Sequence, residues 1–326
     1  MSAAACSIVI RSFNEEQHIG RLLTGILEQS VRDVEIVLVD SGSTDATVAI
    51  ASHFPVRVLH IDPADFTFGR SLNLGCAAAT RAFIVIASAH VYPVYPDWLE
   101  LLLAPFADPQ VGLTYGKQRG TQSSCYSERQ VFQAWFPETS NRDQAHPFCN
   151  NANAAMRRDL WLQHAYDESL SGLEDVAWAS WAMQQGYKVA YEAAAEVVHV
   201  HREAGREVYN RYRREAMALR RIRPQERIGL LDAARLFLSN AGTDLWHAGH
   251  DRGLLREMVG ILRFRFLQFW GSYQGWRMAG TLTSQLKQTF YYPRGLGRVP
   301  ELAGQRASPI AYEATARDNP PEPEGV

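Results

Sequence analysis

Short runs of β-branched and other apolar residues recur through the first two hundred positions, each followed by a stretch with helical spacing, and beyond Arg202 they stop. Ser7–Ile10, Val34–Val39, Val56–Ile61 and Phe83–Ala87 read as strands, with others at Gly112–Tyr115, Lys188–Tyr191 and Glu196–Val200. Helical patterns lie between them: from about Glu15 to Gln29, after Thr44, and near Ser71–Thr80, Asp97–Phe106 and Glu174–Gln185. This alternation predicts an α/β layer of mostly parallel strands joined by crossover helices. Open sheets of that kind bind ligands at the carboxyl ends of their strands. The chemistry is therefore to be sought where each apolar run gives way to polar residues.

Past the alternating part, long amphipathic segments at about 203–222, 226–248, 251–270 and 274–290 predict an all-helical extension. Pro309, Pro320, Pro321 and Pro323, with few large apolar neighbours, mark a flexible tail. The expected organisation is an α/β domain over 1–202, a basic helical extension over 203–306 and a tail over 307–326. Charge divides the same way: net −9 over 1–200, +10 over 201–306 and −3 over the tail, within a total of −2. So small a total excludes a uniformly basic nucleic-acid binder, and no nucleic-acid motif accompanies the basic third. With 46% hydrophobic and 21% charged residues, the chain has the makeup of an ordinary globular protein rather than a disordered one. Cys6, Cys76, Cys125 and Cys149 form no CxxC pair or disulfide framework and read as reduced thiols. There is no charged leader before Ile8 and no apolar run of membrane-spanning length, so the expected setting is cytoplasmic.

Four strand ends carry chemistry-bearing residues. The first is Arg11-Ser12-Phe13-Asn14-Glu15. The second, Asp40-Ser41-Gly42-Ser43-Thr44-Asp45, allows a tight turn in which Ser43 or Thr44 caps the next helix and Asp40 accepts hydrogen bonds from a base or ribose. An ordinary strand-to-helix turn has the same pattern. The third, Ser88-Ala89-His90, sets an imidazole at the sheet edge, where it can meet a metal or a phosphate oxygen or be purely structural. His199 and His201 follow on alternate positions of a later strand and either make a candidate metal set with His90 or are a solvated or hydrogen-bonded pair. Finally, Glu174-Asp175 opens a helix, where acids also serve the helix dipole.

Taken together, these segments resemble the family 2 inverting glycosyltransferases of the GT-A fold. The resemblance covers about residues 6–202 and is carried by Ser7-Ile8-Val9-Ile10-Arg11-Ser12-Phe13-Asn14-Glu15-Glu16, Val37-Leu38-Val39-Asp40-Ser41-Gly42-Ser43-Thr44-Asp45, Asn150-Asn151-Ala152-Asn153-Ala154-Ala155-Met156-Arg157-Arg158, Glu174-Asp175 and Val197-Val198-His199. Phe68-Gly69-Arg70-Ser71-Leu72-Asn73-Leu74-Gly75, Tyr115-Gly116-Lys117-Gln118, Ser127-Glu128-Arg129 and Phe136-Pro137 look most like its rhamnosyltransferase-like branch. Two positions depart from the pattern: Arg11 stands where a Pro is common, and Ser88-Ala89-His90 replaces the Asp-x-Asp metal motif.

The resemblance implies transfer of a hexosyl or deoxyhexosyl group from a nucleotide diphosphate sugar to a polysaccharide, lipid-linked or small-molecule hydroxyl. In it Asp175 is the catalytic base and Glu174 its orienter or acceptor holder. The nucleotide falls to Arg11, Ser12, Phe13, Asn14, Glu15, Asp40, Ser43, Arg70, Asn73, Ser88 and Ala89. Gln118, Asn151, Asn153 and Trp178 line the sugar or acceptor site. A divalent cation, Mn²⁺ or Mg²⁺, is implied at His90, His199 and His201, either with weaker dependence than usual because Ser88 is a poor hard-cation ligand, or with help from Arg70 and a C-terminal His. The alternative is a catalytically silent relative that binds nucleotide or glycan as an assembly partner. The arginines at 202, 206, 211, 213, 214, 220, 221 and 223 form either a solvated face or a surface for the donor diphosphate, a lipid diphosphate or the inner face of a membrane. The segment 254–270 has the composition of an interfacial helix and equally of a buried one.

Overall fold

The computed structural model describes residues 5–121, 124–200, 205–251 and 253–277, together with Ile310 and Tyr312. The α/β part runs β1 (Cys6–Ser12), α1 (Ile19–Leu27), β2 (Val34–Asp40), α2 (Thr47–Ala51), β3 (Val56–His60), α3 (Phe68–Ala78), β4 (Phe83–Ser88), β5 (Val91–Pro93), α4 (Trp98–Leu103), β6 (Val111–Arg119), α5 (Tyr126–Trp135), β7 (Asn153–Arg157), α6 (Arg158–Gln163), α7 (Glu174–Gln184) and β8 (Lys188–His199). Three helices follow: α8 (Gly205–Ile222), α9 (Leu230–His250) and α10 (Leu254–Trp276). The strands form one sheet in the order β3-β2-β1-β4-β7-β6-β8-β5.

The alternation of side chains across each strand explains the layers. Ile8, Ile10, Leu38 and Val85 face the core under α1 and α4, whereas Val9, Val39, Ile84 and Ile86 face a second core with α3 and α7. Both faces are covered, as the apolar runs require.

The sheet is less parallel than the sequence suggests. β1, β2, β3 and β4 pair in parallel, as do β6 and β8, but β7 runs antiparallel between β4 and β6, and β5 runs antiparallel to β8. β7 was invisible to pattern because Asn-Ala-Ala-Met-Arg holds no β-branched residue. β5 is a three-residue edge strand ending in Pro93, where an absent N–H costs no ladder bond. The two strands read at 188–191 and 196–200 are one strand, β8, bulged between Gly116 and Gln118 of its partner.

The helix read from Glu15 starts at Ile19. Asn14 adopts a left-handed backbone at φ 56°, and the N–H groups of Glu15 and Glu16 are spent on Thr47 Oγ1 (2.6 Å) and Asp45 Oδ2 (3.0 Å). These bonds staple the β1 loop to the β2 loop. Neither Ser43 nor Thr44 caps α2, which begins at Thr47 after Asp45 Oδ1 accepts the Thr47 N–H at 2.9 Å.

The helical extension shares the core of the sheet domain: Ala216, Leu219, Leu236, Phe269 and Trp276 belong to the same apolar cluster as Val9, Met156 and Trp178. α8 and α10 touch backbone to backbone at Gly271 and Gly275. A Cβ at Gly275 would stand 2.4 Å from the Arg213 carbonyl oxygen, and one at Gly271 2.6 Å from that of Tyr209. Within α10, Arg265 is buried in a two-pronged pair with Asp244 (2.7 and 2.9 Å). Ile261 and Phe269 also point inward, while Leu255, Val259 and Phe266 are exposed. The segment read as 251–270 is thus half core and half surface. The rest of the 274–290 reading lies outside the described residues. Of the tail, Ile310 N–H donates to the Val94 carbonyl (2.9 Å) and Tyr312 Oη to that of Pro93 (2.6 Å), so these two residues lie against β5 and the residue after it.

Candidate active site

A cleft of about 430 Å³ opens at the carboxyl edge of the sheet. β1 and its loop contribute Arg11 and Glu15; β4 and the residues after it contribute Ser88 and His90; β6 and β8 contribute Gln118 and His199. The segment before β7 adds Asn150 and Asn151, and the start of α7 adds Glu174 and Asp175. Opposite stand Val131, Phe132, Trp135 and Phe136 at α5, and Arg211, Tyr212, Arg214 and Glu215 on α8.

The two acids are fixed by an unusual turn. Leu173 takes a left-handed backbone (φ 56°, ψ 26°) immediately before α7, a conformation that costs a branched residue about 1–2 kcal/mol. It swings the first turn of α7 into the cleft. Asp175 Oδ2 accepts the Asn151 N–H (3.0 Å) and Oδ1 the Val176 N–H (2.8 Å). Burial, and after it the neighbouring Glu174 charge, push the Asp175 carboxyl up from the usual range, against those two donors and Arg11. The helix dipole favours a carboxylate here, but desolvation outweighs it. Glu174, 5% exposed, faces Arg11 Nη1 at 3.7 Å. A buried carboxyl with a raised pKa beside a cleft is an arrangement suited to taking a proton from a hydroxyl.

Asp40 is arranged differently. It is 2% exposed and does not line the cleft. Oδ2 accepts the Gly42 and Ser43 N–H groups (3.1 Å each), and Oδ1 accepts the Ser43 hydroxyl at 2.5 Å. Asn14 closes the same knot, with Oδ1 accepting the Thr44 N–H at 2.8 Å. Ser12, Asp40 and Ser43 thus shape the turn, while the Phe13 ring is 54% exposed at its rim.

Several expected contacts are not made by the fold. Asn73 is used inside: its Nδ2 donates to the Tyr166 carbonyl and Glu168, and its Oδ1 accepts from Trp161 and Tyr166. Asn153 is fully buried, donating to the Lys117 and Ala195 carbonyls and accepting from Trp98. Trp178 is 1% exposed in the core, its indole N–H on the His164 carbonyl. Arg70 pairs with Asp65 at 3.0 Å on the surface, and Ala89 is buried in the core; neither lines the cleft. Asn151 and Gln118 do line it, and Asn151 Nδ2 and Gln118 Nε2 are buried without a hydrogen-bond partner among the described residues.

Of the expected metal set, the structure brings His90 and His199 together. His90 Nδ1 lies 2.7 Å from Glu15 Oε1, and its ring stacks on that of His199 with centroids 5.0 Å apart and planes 21° apart. His199 Nδ1 in turn meets Gln118 Oε1 at 2.7 Å. His201 lies outside the described residues. Among the described residues no three His, Cys, Asp or Glu side chains come together as a cation site. Hard divalent cations want converging oxygens, and here the Glu15 carboxylate is turned to an imidazole and Ser88 offers a hydroxyl. These residues fit a resident Mn²⁺ or Mg²⁺ poorly.

Pattern missed the α8 side of the cleft. Arg211 and Arg214 were visible only as members of a basic run, and their i, i+3 spacing is the one local sign that they share a face. Arg211 Nη2 donates to Glu128 Oε1 at 2.8 Å, tying α8 to α5.

Residues 7–162 match the model of glycosyl transferase family 2. Among curated proteins, the chain is similar to the O-antigen chain rhamnosyltransferase RfbN of Salmonella typhimurium, 28% identical over 219 residues that span 63% of this chain and 69% of that one. The O-antigen chain rhamnosyltransferase WbaN of Salmonella anatum is 27% identical over 204 residues, 57% of this chain and 62% of that one. The solved mannosyltransferase PcManGT from Pyrobaculum calidifontis, in complex with GDP-Man and Mn²⁺, superposes with a TM-score of 0.55 at 20% identity, over 88% of this chain and 87% of that one. TarS 1–349 of S. aureus in complex with UDP-GlcNAc gives 0.52 at 16% identity, over 84% of this chain and 92% of that one. At such identities the likeness is one of fold.

Proposed function

We propose that this family 2 glycosyltransferase of the rhamnosyltransferase-like branch moves a deoxyhexose, with inversion, from a nucleoside diphosphate sugar to a hydroxyl of a glycan or lipid-linked acceptor. The observation that carries the reading is Asp175, held by two backbone donors and raised by burial at the wall of the cleft. In one displacement, Asp175 takes the acceptor hydroxyl's proton as that oxygen attacks the anomeric carbon, and the nucleoside diphosphate leaves from the opposite face. Glu174 orients Arg11 and the acceptor.

The β1 and β2 loops hold the base and ribose. Asp40 acts there through the turn it organises, which presents Ser43 and Asn14, while Phe13 offers a face to the base. Asn151 Nδ2 and Gln118 Nε2 supply donors to sugar hydroxyls. A deoxyhexose carries a methyl where a hexose carries a hydroxymethyl, and the wall of Val131, Phe132, Trp135 and Phe136 suits it. Relatives named as O-antigen chain rhamnosyltransferases support the same sugar class and a polysaccharide acceptor. An intact acid pair in an open cleft favours this over a silent binding partner.

No described helix is long and apolar enough to cross a membrane. A lipid-linked acceptor would instead be met at the bilayer surface, and Leu231, Leu255 and Val259 of α9 and α10, 86, 88 and 70% exposed, are the residues for it. α8, the most basic helix, is turned to the cleft.

The test is thermal unfolding against UDP, GDP, dTDP and CDP. One of them should stabilise the chain, by about 2.7 kcal/mol at a hundred times its dissociation constant. Absence of a shift with all four would remove the donor from the account.

A further inference from the structure

A departing nucleoside diphosphate needs positive charge, and the residues after β4 are poorly built to hold it through a cation. The arginines that line the cleft are placed for it. Arg11 is the Cα partner of Ser88 across the β1–β4 ladder, so it stands beside the position of the replaced metal motif. Its Nη1 is buried without a hydrogen bond and has the Glu174 carboxylate at 3.7 Å. Arg214 arrives from α8, and its Nε is likewise buried without a hydrogen bond. Both guanidinium groups lie on one aromatic ring, Arg11 4.7 Å and Arg214 4.4 Å from the centroid of Phe68. Arg265, by contrast, donates to both oxygens of Asp244 and to Gln268 Oε1. In Arg11 and Arg214 the fold keeps two stacked cations with donors left over.

We propose that Arg11 and Arg214, both packed on the Phe68 ring, grip the donor's diphosphate directly and take its growing charge in place of a metal ion. The inference rests on the donor reading above and deepens it. As the acceptor oxygen, its proton passed to Asp175, forms the new bond to the anomeric carbon, the bond from that carbon to the diphosphate oxygen breaks and its electron pair stays on the diphosphate. The guanidinium donors hydrogen-bond to that charge, and a planar fork suits phosphate oxygens in pairs. Burial lowers the pKa of Arg214, yet a guanidinium stays charged at any working pH, so its strength as a donor is increased by its dry setting. Of the acids nearby, Glu15 meets His90 and Glu128 accepts from Arg211, while Glu174 and Glu215 are the carboxylates whose charge Arg11 and Arg214 feel directly. The helical extension thereby becomes part of the donor site.

Titration calorimetry on the full chain in the presence of a chelator tests this, with UDP, GDP and dTDP against UMP, GMP and dTMP. The wild type should bind one diphosphate without metal. Arg214→Gln and Arg11→Gln should each weaken that diphosphate about tenfold or more while the matching monophosphate changes by less than about threefold; Arg214→Lys should retain part of the affinity. Unchanged monophosphate binding shows that the variants are folded. Diphosphate binding by the wild type only with Mn²⁺, or arginine variants that bind like the wild type, would overturn the grip and leave the glycosyltransferase reading standing. No binding of any nucleotide, with or without Mn²⁺, would overturn both.

Discussion

Asp40 and Asp175 are both nearly buried aspartates at a junction of strand, loop and helix, and each accepts hydrogen bonds from backbone N–H groups, yet the fold uses them in opposite ways. Asp40 accepts from two N–H groups and a hydroxyl within its own turn, with the Ser12 hydroxyl at 3.4 Å and the His60 imidazole at 3.6 Å. Asp175 has two donors, a dry setting and Glu174 next in the chain, so its charge is opposed. The first is a carboxylate used to build a loop; the second is one kept ready to take a proton. What separates them is the balance of donors against desolvation and like charge.

The largest effect that can break this contrast is on turnover. Asp175→Asn should lower the transfer rate about 10²–10⁴-fold with little change in nucleotide affinity, measured by single-turnover kinetics beside calorimetry. Asp40→Ala should do the reverse: it leaves the half-buried N–H groups of Gly42 and Ser43 without their carboxylate partner, costing about 1 kcal/mol of stability in denaturant melts, and weakens donor binding more than it slows the bound complex. Gly275→Ala forces α8 away from α10 and should cost about 1–3 kcal/mol, with donor affinity falling as Arg214 shifts.

The smallest effect is in the pH dependence of stability. Because the folded-state pKa of Asp175 is raised, its protonated form is favoured by folding. That contribution is complete below the unfolded value of about 4 and is lost as pH rises through the folded one. Asp175→Asn should therefore gain stability relative to the wild type across that window, about 1.4 kcal/mol for each unit of the shift, and a flat difference between the two melting curves would contradict the account.

How much of this was legible in the sequence follows the same division. β1, β2 and β4 were plain because β-branched residues on both faces have few other places to go, and Glu174-Asp175 and Asp40 stood out as polar breaks at element ends. β7 was hidden by its small residues, and with it the antiparallel centre of the sheet. Asn73, Asn153 and Trp178 sit within the same motifs as true cleft residues, but a motif does not say which way a side chain points, and theirs are used to join strands and helices. Arg214 reaches the cleft only because Gly271 and Gly275 let α8 lie against α10, a tertiary contact with no local signature.

The central claim is a single displacement with Asp175 as the base, and the anomeric configuration of the first product, followed by proton NMR as it forms, tests it most directly. The account predicts a configuration opposite to that of the donor sugar. A product that keeps the donor's configuration would mean that the anomeric carbon is not attacked once from the side of Asp175, and the mechanism derived from this cleft would be wrong.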